Sequence, residues 1–268
     1  MEIKRIASLG AGVQSSTMVL LAKHGEIPMF DAAIFADTGG ESKVTMDYLD
    51  YLETLLPFPL YRVMHKDGLT KSIERAAAGD TTRSGNPPFF TESNDGNGGI
   101  LSRVCTSEFK IGPIKKKVRE LFGLKPRQRA KDIKCVQSIG ISLDEIQRMN
   151  VSRDKWIEFE YPLVDLRMRR GDCLEWMMRH GYNEPPRSAC VYCPYHDNRM
   201  WRKIKDTDPD GWDEAVRIDK MIRNGVGGTK STLYLHNSLK PLEEVDLSTD
   251  IDHGQMTFLD ECSGNCFV

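Results

Sequence analysis

The chain has 268 residues, a formal net charge of −2, 40% hydrophobic residues and 28% charged residues, enough to bury a full core in one sizeable domain with elaborations or a domain plus a small subdomain. No run approaches the roughly 18 apolar residues of a membrane span. Residues 1–6 enter a strand pattern without an apolar signal region, so a soluble, cytoplasmic protein with no membrane partner is expected.

In chain order, residues 3–9 predict a strand and residues 14–23 a helix. The hand-over between them holds Ser8, Gly10, Gly12, Gln14, Ser15, Ser16 and Thr17. Gly10 and Gly12 can take backbone angles closed to other residues and let a ligand approach the main chain. Ser15, Ser16 and Thr17 bring hydroxyls and N–H groups to a positive helix N-terminus, so the stretch reads as a phosphate cradle. A dinucleotide loop would carry a third glycine at position 15, and a P-loop would carry Gly-Lys-Ser or Gly-Lys-Thr; both are absent. A turn that only connects strand to helix satisfies the same residues.

Residues 32–36 read as a buried parallel strand ending in Asp37, Thr38, Gly39 and Gly40. Residues 41–56 place Val44, Tyr48, Leu49, Leu52 and Leu55 at helical spacing, Pro57 and Pro59 stop that helix, and residues 60–64 form a third strand. Two strand-helix-strand units in succession predict a doubly wound, mostly parallel α/β sheet, with ligands beyond the carboxyl ends of its strands. The loops at Gly10 and Asp37 fall there. Residues 79–99, rich in Gly, Asn, Ser, Thr and Pro, read as a long loop and a candidate lid.

Residues 107–122 predict a basic helix broken at Gly123 and Pro126, and residues 133–141 a strand with Cys135 in the core. Residues 156–163 read as a strand near an edge. Asp172 is expected to cap the next helix, with Glu175 at the capping-box position and Gly181 as its stop. Leu174, Met177 and Met178 give that helix an apolar stripe, and Cys173 reads as a small buried hydrophobe. Helices at 198–205 and 209–224 precede Gly225 to Gly228 and a weakly structured tail. The expected division is a nucleotide-binding α/β domain over 1–165 and a helical, Cys-containing extension over 166–268.

Charge is unevenly spread: residues 110–134 hold ten Lys or Arg against Glu120 and Asp132, and residues 243–261 are acidic. The basic run is either a solvated helix face or a patch for phosphate, sulfate or nucleic acid. Seven cysteines are an odd number for a secreted disulfide framework, which turns attention to metal binding or thiol chemistry. Cys190 and Cys193, two residues apart before Pro194, let both sulfurs face one metal, and Cys105, Cys262 and Cys266 are candidates for the remaining bonds. Zinc and an iron–sulfur cluster both accept such thiolates, and spacing alone does not separate them.

The loop from Gly10 to Ser16 is similar to the pyrophosphate loop of the adenine nucleotide α-hydrolase superfamily, with Gln14 where that superfamily usually has Asp. Over nearly the whole chain, the following features occur in the order seen in the phosphoadenosine phosphosulfate (PAPS) and adenylyl-sulfate (APS) reductase family: Asp37-Thr38-Gly39; Cys105 with Lys110 and Pro113; Gly140 through Asp144, Glu145 and Arg148; Tyr161-Pro162-Leu163; Cys190 and Cys193 before Pro194; and Glu261-Cys262. The stretch 188–196 and the Cys-rich terminus resemble the reductase-like members found in phage and bacterial genomes.

What the resemblance implies is an adenine nucleotide-like fold with Ser8, Gly10, Gly12, Ser15 and Ser16 on phosphate or sulfate, and Asp37, Thr38 and Gly39 on the nucleotide. It also implies a [4Fe–4S] cluster on Cys105, Cys190 and Cys193, with Thr106 in place of a second adjacent cysteine and the fourth bond from Cys262, Cys266 or an open iron. Lys110 and Arg148 would face the anion, and the Cys262 thiolate would attack the sulfur of an adenylyl sulfate. An external thiol donor such as a thioredoxin would resolve the product. Two alternatives stand beside this reductase. One is an ATP- and Mg²⁺-dependent sulfurtransferase that grips nucleic acid through residues 110–134. The other is a non-catalytic nucleotide or redox sensor, and a homo-oligomer is open in each case.

Overall fold

In a computed structural model the described residues are 1–80, 86–92, 98–229, 231–249 and 252. They divide into two compact units, each discontinuous in sequence: Met1–Asp37, Val44–Met64 and Lys110–Ser188 in the first, and Thr38–Lys43, His65–Phe109 and the chain from Ala189 onward in the second. This differs from the expected single cut after residue 165.

The first unit is built on five parallel strands: β1 (Glu2–Leu9), β2 (Ala32–Asp37), β3 (Leu60–Met64), β6 (Ile133–Ile139) and β7 (Ile157–Glu160). Their order, β3-β2-β1-β6-β7, reverses direction between β1 and β6, so the crevice at that switch point opens between the loop after β1 and the loop after β6. The doubly wound α/β class is therefore the one the residues adopt. Period-two alternation sorts the side chains onto two faces. Ala7, Leu9, Ala33 and Phe35 pack in one core with α1 (Val13–Lys23), α2 (Lys43–Leu55) and α6 (Arg170–Arg179). Ile6, Ala32, Ile34 and Cys135 pack in the other with Val118 and Phe122, from and just after α4 (Gly112–Leu121).

The short helix α5 (Pro162–Asp165) and helix α6 belong to this unit because Leu163, Cys173, Trp176 and Met177 share the core of α1. Met178, expected in the same stripe, is 72% exposed. Asp172 caps from inside the first turn: its carboxylate accepts the N–H of Arg169 at 2.8 Å, so the N-cap residue is Arg169. Gly181, at φ 71°, ends the helix as expected. Strand β7 is at the sheet edge, also as expected.

The second unit holds α3 (Gly68–Ala77), α7 (Asn198–Thr207) and α8 (Pro209–Ile222). It also holds an antiparallel sheet in the order β5-β4-β8, made of β4 (Phe90–Glu92), β5 (Gly98–Ile100) and β8 (Thr232–Tyr234). The expected loop over 79–99 thus contains a strand and part of another, while residues 81–85 and 93–97 lie outside the described residues. Residues 231–249 are likewise more ordered than the composition of the tail implies. Asp219, in α8 and 1% exposed, accepts the N–H groups of Leu235 at 2.9 Å and Leu242 at 3.0 Å and pairs with Arg223. One buried carboxylate therefore ties β8 and the following turn to α8.

The basic helix expected over 107–122 is an α4 preceded by a π-helical turn, Thr106–Ile111. Pro113 has no N–H to give the carbonyl of Phe109, so a regular α-turn cannot run through it. Among the described residues no helix is long and apolar enough to cross a membrane. The residues between α4 and β6 enter β6 at its amino end, where Glu2 pairs with Ile133. Much of the basic run is therefore at the pole of the sheet opposite the loops at Gly10 and Gly140.

Candidate nucleotide and sulfur sites

The anion-receptive loop of the first unit is built at the switch point. Gly12 is the N-cap of α1 at φ −96°, ψ 178°, and no side chain caps the helix. The left-handed residue is Ala11, at φ 57°. Neither Gly10 nor Gly12 has positive φ, so the expectation that these glycines supply unusual backbone angles is corrected: the turn is made by Ala11. The Ser15 hydroxyl holds the loop from within, accepting the N–H of Gly10 at 3.1 Å and donating to the carbonyl of Gly12 at 3.3 Å. Thr17 donates to the Val13 carbonyl at 2.9 Å. Ser8 is tied to the neighbouring strand, its hydroxyl accepting from Gln137 Nε2 at 2.6 Å.

Two hydroxyls remain. Ser16 Oγ and Ser188 Oγ are buried, in residues 0% and 5% exposed; Ser188 Oγ has no hydrogen-bond partner, and Ser16 Oγ faces the buried Tyr48 hydroxyl. Ser188 flanks the loop: a Cβ at Gly12 would meet the Ser188 Cβ at 3.8 Å. An unpaired buried hydroxyl costs about 1–3 kcal/mol. With the first N–H groups of α1 also lacking intrahelical acceptors, the loop presents several donors at the positive end of an 11-residue helix.

The wall opposite the loop comes from β6 and the turn after it. A Cβ on Gly140 would lie 2.7 Å from both the N and Cα of Ser15, so only glycine lets the end of β6 approach the helix this closely. Gln14 donates through Nε2 to Glu145 Oε2 at 3.3 Å and Ser142 Oγ at 3.4 Å. Glu145 in turn pairs with Arg148 at 2.6 Å, both side chains being largely buried. Asp37 ends β2, one strand over. Lys110 lies in the π-helical turn and has interactions of its own.

Thr38 and Gly39 belong to the second unit, where they form a compact knot with the Cys190 loop. The buried Thr38 hydroxyl donates to Glu41 Oε1 at 3.1 Å and lies 3.0 Å from Cys190 Sγ. Gly39 takes φ 79°. Val191 donates its N–H to the Gly40 carbonyl at 2.8 Å, and Tyr192 OH lies 2.8 Å from the Thr70 hydroxyl. A Cβ on Gly40 would collide with the Tyr192 ring and hydroxyl. Burial raises the Tyr192 hydroxyl pKa far above its ordinary value. The Cys190–Cys193 segment is a tight turn closed by Cys193 N–H on the Cys190 carbonyl at 3.0 Å. Cys105 and Cys190 pack at the margin of one apolar core.

Among the described residues no group of three or more His, Cys, Asp and Glu side chains is placed to hold a metal ion. Cys105, Cys190 and Cys193 are not gathered into such a group, and Cys262 and Cys266 lie outside the described residues. Cys135 and Cys173 are fully buried, and burial pushes each thiol up to about 12.

Sequence reasoning missed Ser188 and Ala11, because a lone serine and a lone alanine carry no periodic signal. Gly140 was readable as a glycine directly after a strand, but its partner Ser15 was not.

Fold and loop together define a class: a parallel α/β domain with a strand-to-helix loop at its switch point. No known family profile matches the chain. A 69-residue stretch is 42% identical to an uncharacterized 37.8 kDa protein of Escherichia phage 186, covering 26% of this chain and 19% of that protein. The match thus spans about a fifth of the phage protein's length. Among solved structures, the chain is similar to the phosphoadenylyl-sulfate (PAPS) reductase of Candida auris in its phosphate complex, with a TM-score of 0.44 and 13% identity over 69% of this chain and 75% of that one. At that level the likeness assigns no residue a role.

Proposed function

We propose that the chain is a nucleotide-binding enzyme of the PAPS-reductase-like kind, which holds the phosphate or sulfate end of an adenine nucleotide on the loop from Gly10 to Ser16. The observation that carries this reading is the buried, unpartnered Ser188 Oγ beside an uncapped helix N-terminus that also presents Ser16 Oγ. Anionic oxygens are strong acceptors and would satisfy both hydroxyls together with the free N–H groups of the first turn. The Glu145–Arg148 pair is neutral overall, so the carboxylate beside the loop does not by itself repel an anion.

The reaction rests on the motif resemblance. The Cys262 thiolate attacks the sulfur of the adenylyl sulfate, the S–O bond to the nucleotide phosphate breaks, and the electron pair leaves with the nucleotide. The resulting Cys262 S-sulfonate is attacked at its Cys262 sulfur by a thiolate of an external dithiol, which releases sulfite. The second donor thiol then closes a disulfide and frees Cys262.

Titration calorimetry with ATP, AMP, APS and PAPS tests the binding half. Ser188→Ala removes an unpaired hydroxyl, so stability should hold or rise, and in both Ser188→Ala and Ser16→Ala affinity should fall about tenfold or more, the worth of one hydrogen bond to a charged group. Unchanged affinity in both variants rejects the loop as the site. Cys262→Ser should abolish thiol-dependent sulfite release while nucleotide binding persists; sulfite release at the wild-type rate rejects the assigned nucleophile.

A further inference from the structure

The turn between α4 and β6 places a charged, non-glycine residue in left-handed backbone. Gln128 donates its N–H to the Lys125 carbonyl at 3.1 Å, Pro126 follows Lys125, and Arg127 has φ 63°. This is the pattern of a type II β-turn, with Pro at its first central position and a left-handed residue at its second, where glycine or asparagine is the usual choice. An arginine there is strained. The turn is held rigidly: Arg119 donates to the carbonyls of Lys125 at 3.0 Å and Gln128 at 2.6 Å, and Gln128 Oε1 accepts the N–H of Lys125 at 2.9 Å. The protein thus fixes a strained arginine at the apex of a stiff loop, and nothing in the packing requires it, since Arg127 is exposed.

The charges around it are unbalanced. Lys125, Arg127, Arg129 and Lys131 are exposed, and none forms an ion pair among the described residues. Neighbouring cations, by contrast, are matched: Lys115 with Asp154 at 2.6 Å, Lys117 with Glu120 at 2.8 Å, Lys4 with Glu2 at 2.8 Å, and Lys134 with Glu158. Asp132 is the only carboxylate between residues 121 and 134. The cations are at the amino pole of the sheet, separated from the anion loop by the length of β6, about 20 Å at some 3.3 Å per residue, so they do not serve the nucleotide. Phe122 is buried and Leu124 half-buried, whereas Met1 and Ile3, at the start of the strand paired with β6, are 80% and 55% exposed, so an anionic lipid surface is the competing occupant.

We infer that the α4–β6 turn is a docking surface for the phosphate backbone of a nucleic acid, with Lys125, Arg127, Arg129 and Lys131 as its contacts and Arg127 placed by the type II turn. It is separate from the nucleotide loop and independent of the reaction proposed there.

Fluorescence anisotropy with a short labelled duplex DNA tests it, with the salt concentration stepped between about 50 and 200 mM. Four phosphate contacts predict a slope of log affinity against log salt of about −4. Replacing all four cations by Gln should flatten that slope and weaken binding at the lowest salt, with nucleotide affinity unchanged. Arg127→Gly should relieve the strained backbone, raising Tm, while reducing the slope by about one unit. The inference is overturned if the fourfold variant keeps the wild-type slope, if Arg127→Gly lowers Tm, or if the wild-type protein binds anionic lipid vesicles and not DNA.

Discussion

Gly140→Ala is the sharpest test of the geometry at the anion loop. The added Cβ falls 2.7 Å from both the N and Cα of Ser15 and 3.0 Å from its Cβ. Two of these are backbone atoms, so no rotamer change relieves the contact. Reaching 3.4 Å, the lower edge of ordinary contact, requires a shift of about 0.7 Å in the first turn of α1 or the end of β6. Helix α1 resists because Met18, Val19, Leu20, Leu21 and Ala22 are all fully buried. Overpacking of this kind costs about 1–3 kcal/mol, and Tm falls by about 2–4 °C for each kcal/mol in a protein of this size. Against a typical stability of about 5–15 kcal/mol the variant still folds, so binding stays measurable. Displacing the N–H groups of the first turn should weaken phosphate or nucleotide binding about tenfold or more. Gly171→Ala is the matched control: it is in α6 with nothing within 4 Å of its added Cβ, and should be neutral or stabilising by about 0.5–1 kcal/mol. Thermal denaturation and calorimetry read both effects. If Gly140→Ala matches the control in Tm and affinity, the close approach of β6 to the loop is not what shapes the site.

Three further outcomes are expected. Asp219→Asn turns one acceptor toward the Leu242 N–H into a donor and leaves Arg223 without its counter-charge; breaking such a buried pair costs about 3–5 kcal/mol, readable as a lower urea midpoint, and a loss below about 1 kcal/mol would contradict the role given to that carboxylate. Cys135 and Cys173 keep their protons up to about 12 when folded but lose them from 9.0 when unfolded. The native state therefore binds more protons between those values, so urea midpoints should be level below about pH 9 and fall above it, and the double Ala variant should show a shallower fall; an equal fall would assign the effect elsewhere. After anaerobic reconstitution, a Cys262→Ser, Cys266→Ser variant should lack iron–sulfur absorption, because the three described cysteines do not gather by themselves; a full cluster in that variant would show that they do so on binding metal.

The first half of the sheet was legible because each element carries a long, single-period signal. Strands β1, β2 and β3 and helices α1 and α2 fall within a few residues of their expected bounds. Helix α3 was also written in the sequence, with Leu69, Ile73 and Ala76 on one buried face, but it opens at a left-handed Gly68, with three residues between it and β3, and leads into a polar loop. Strands β4 and β8 have three residues each, too few to show a period, and exist because they pair with each other. The division into units was not legible, since each unit is assembled from separated stretches whose association depends on packing. At the site, residue types at the strand-to-helix junction were readable, and the backbone detail was not: the left-handed position falls on Ala11, which has no preference for it.

The same limit explains Gln14. Read along the chain, it is a departure from a loop that usually offers a carboxylate. In the fold its amide reaches Glu145 at 3.3 Å, across the crevice between β1 and β6, and Glu145 already engages Arg148. An aspartate at position 14 would face the Glu145 carboxylate at about 4–5 Å, a repulsion of about 3–4 kcal/mol at an effective dielectric constant of 20. The amide avoids this because it donates a hydrogen bond to the carboxylate beside it. The charge absent from the loop is present on the adjoining turn, contributed by a residue 131 positions away in sequence, so the departure at position 14 and the acid at position 145 form one arrangement that only the strand order β1-β6 brings together.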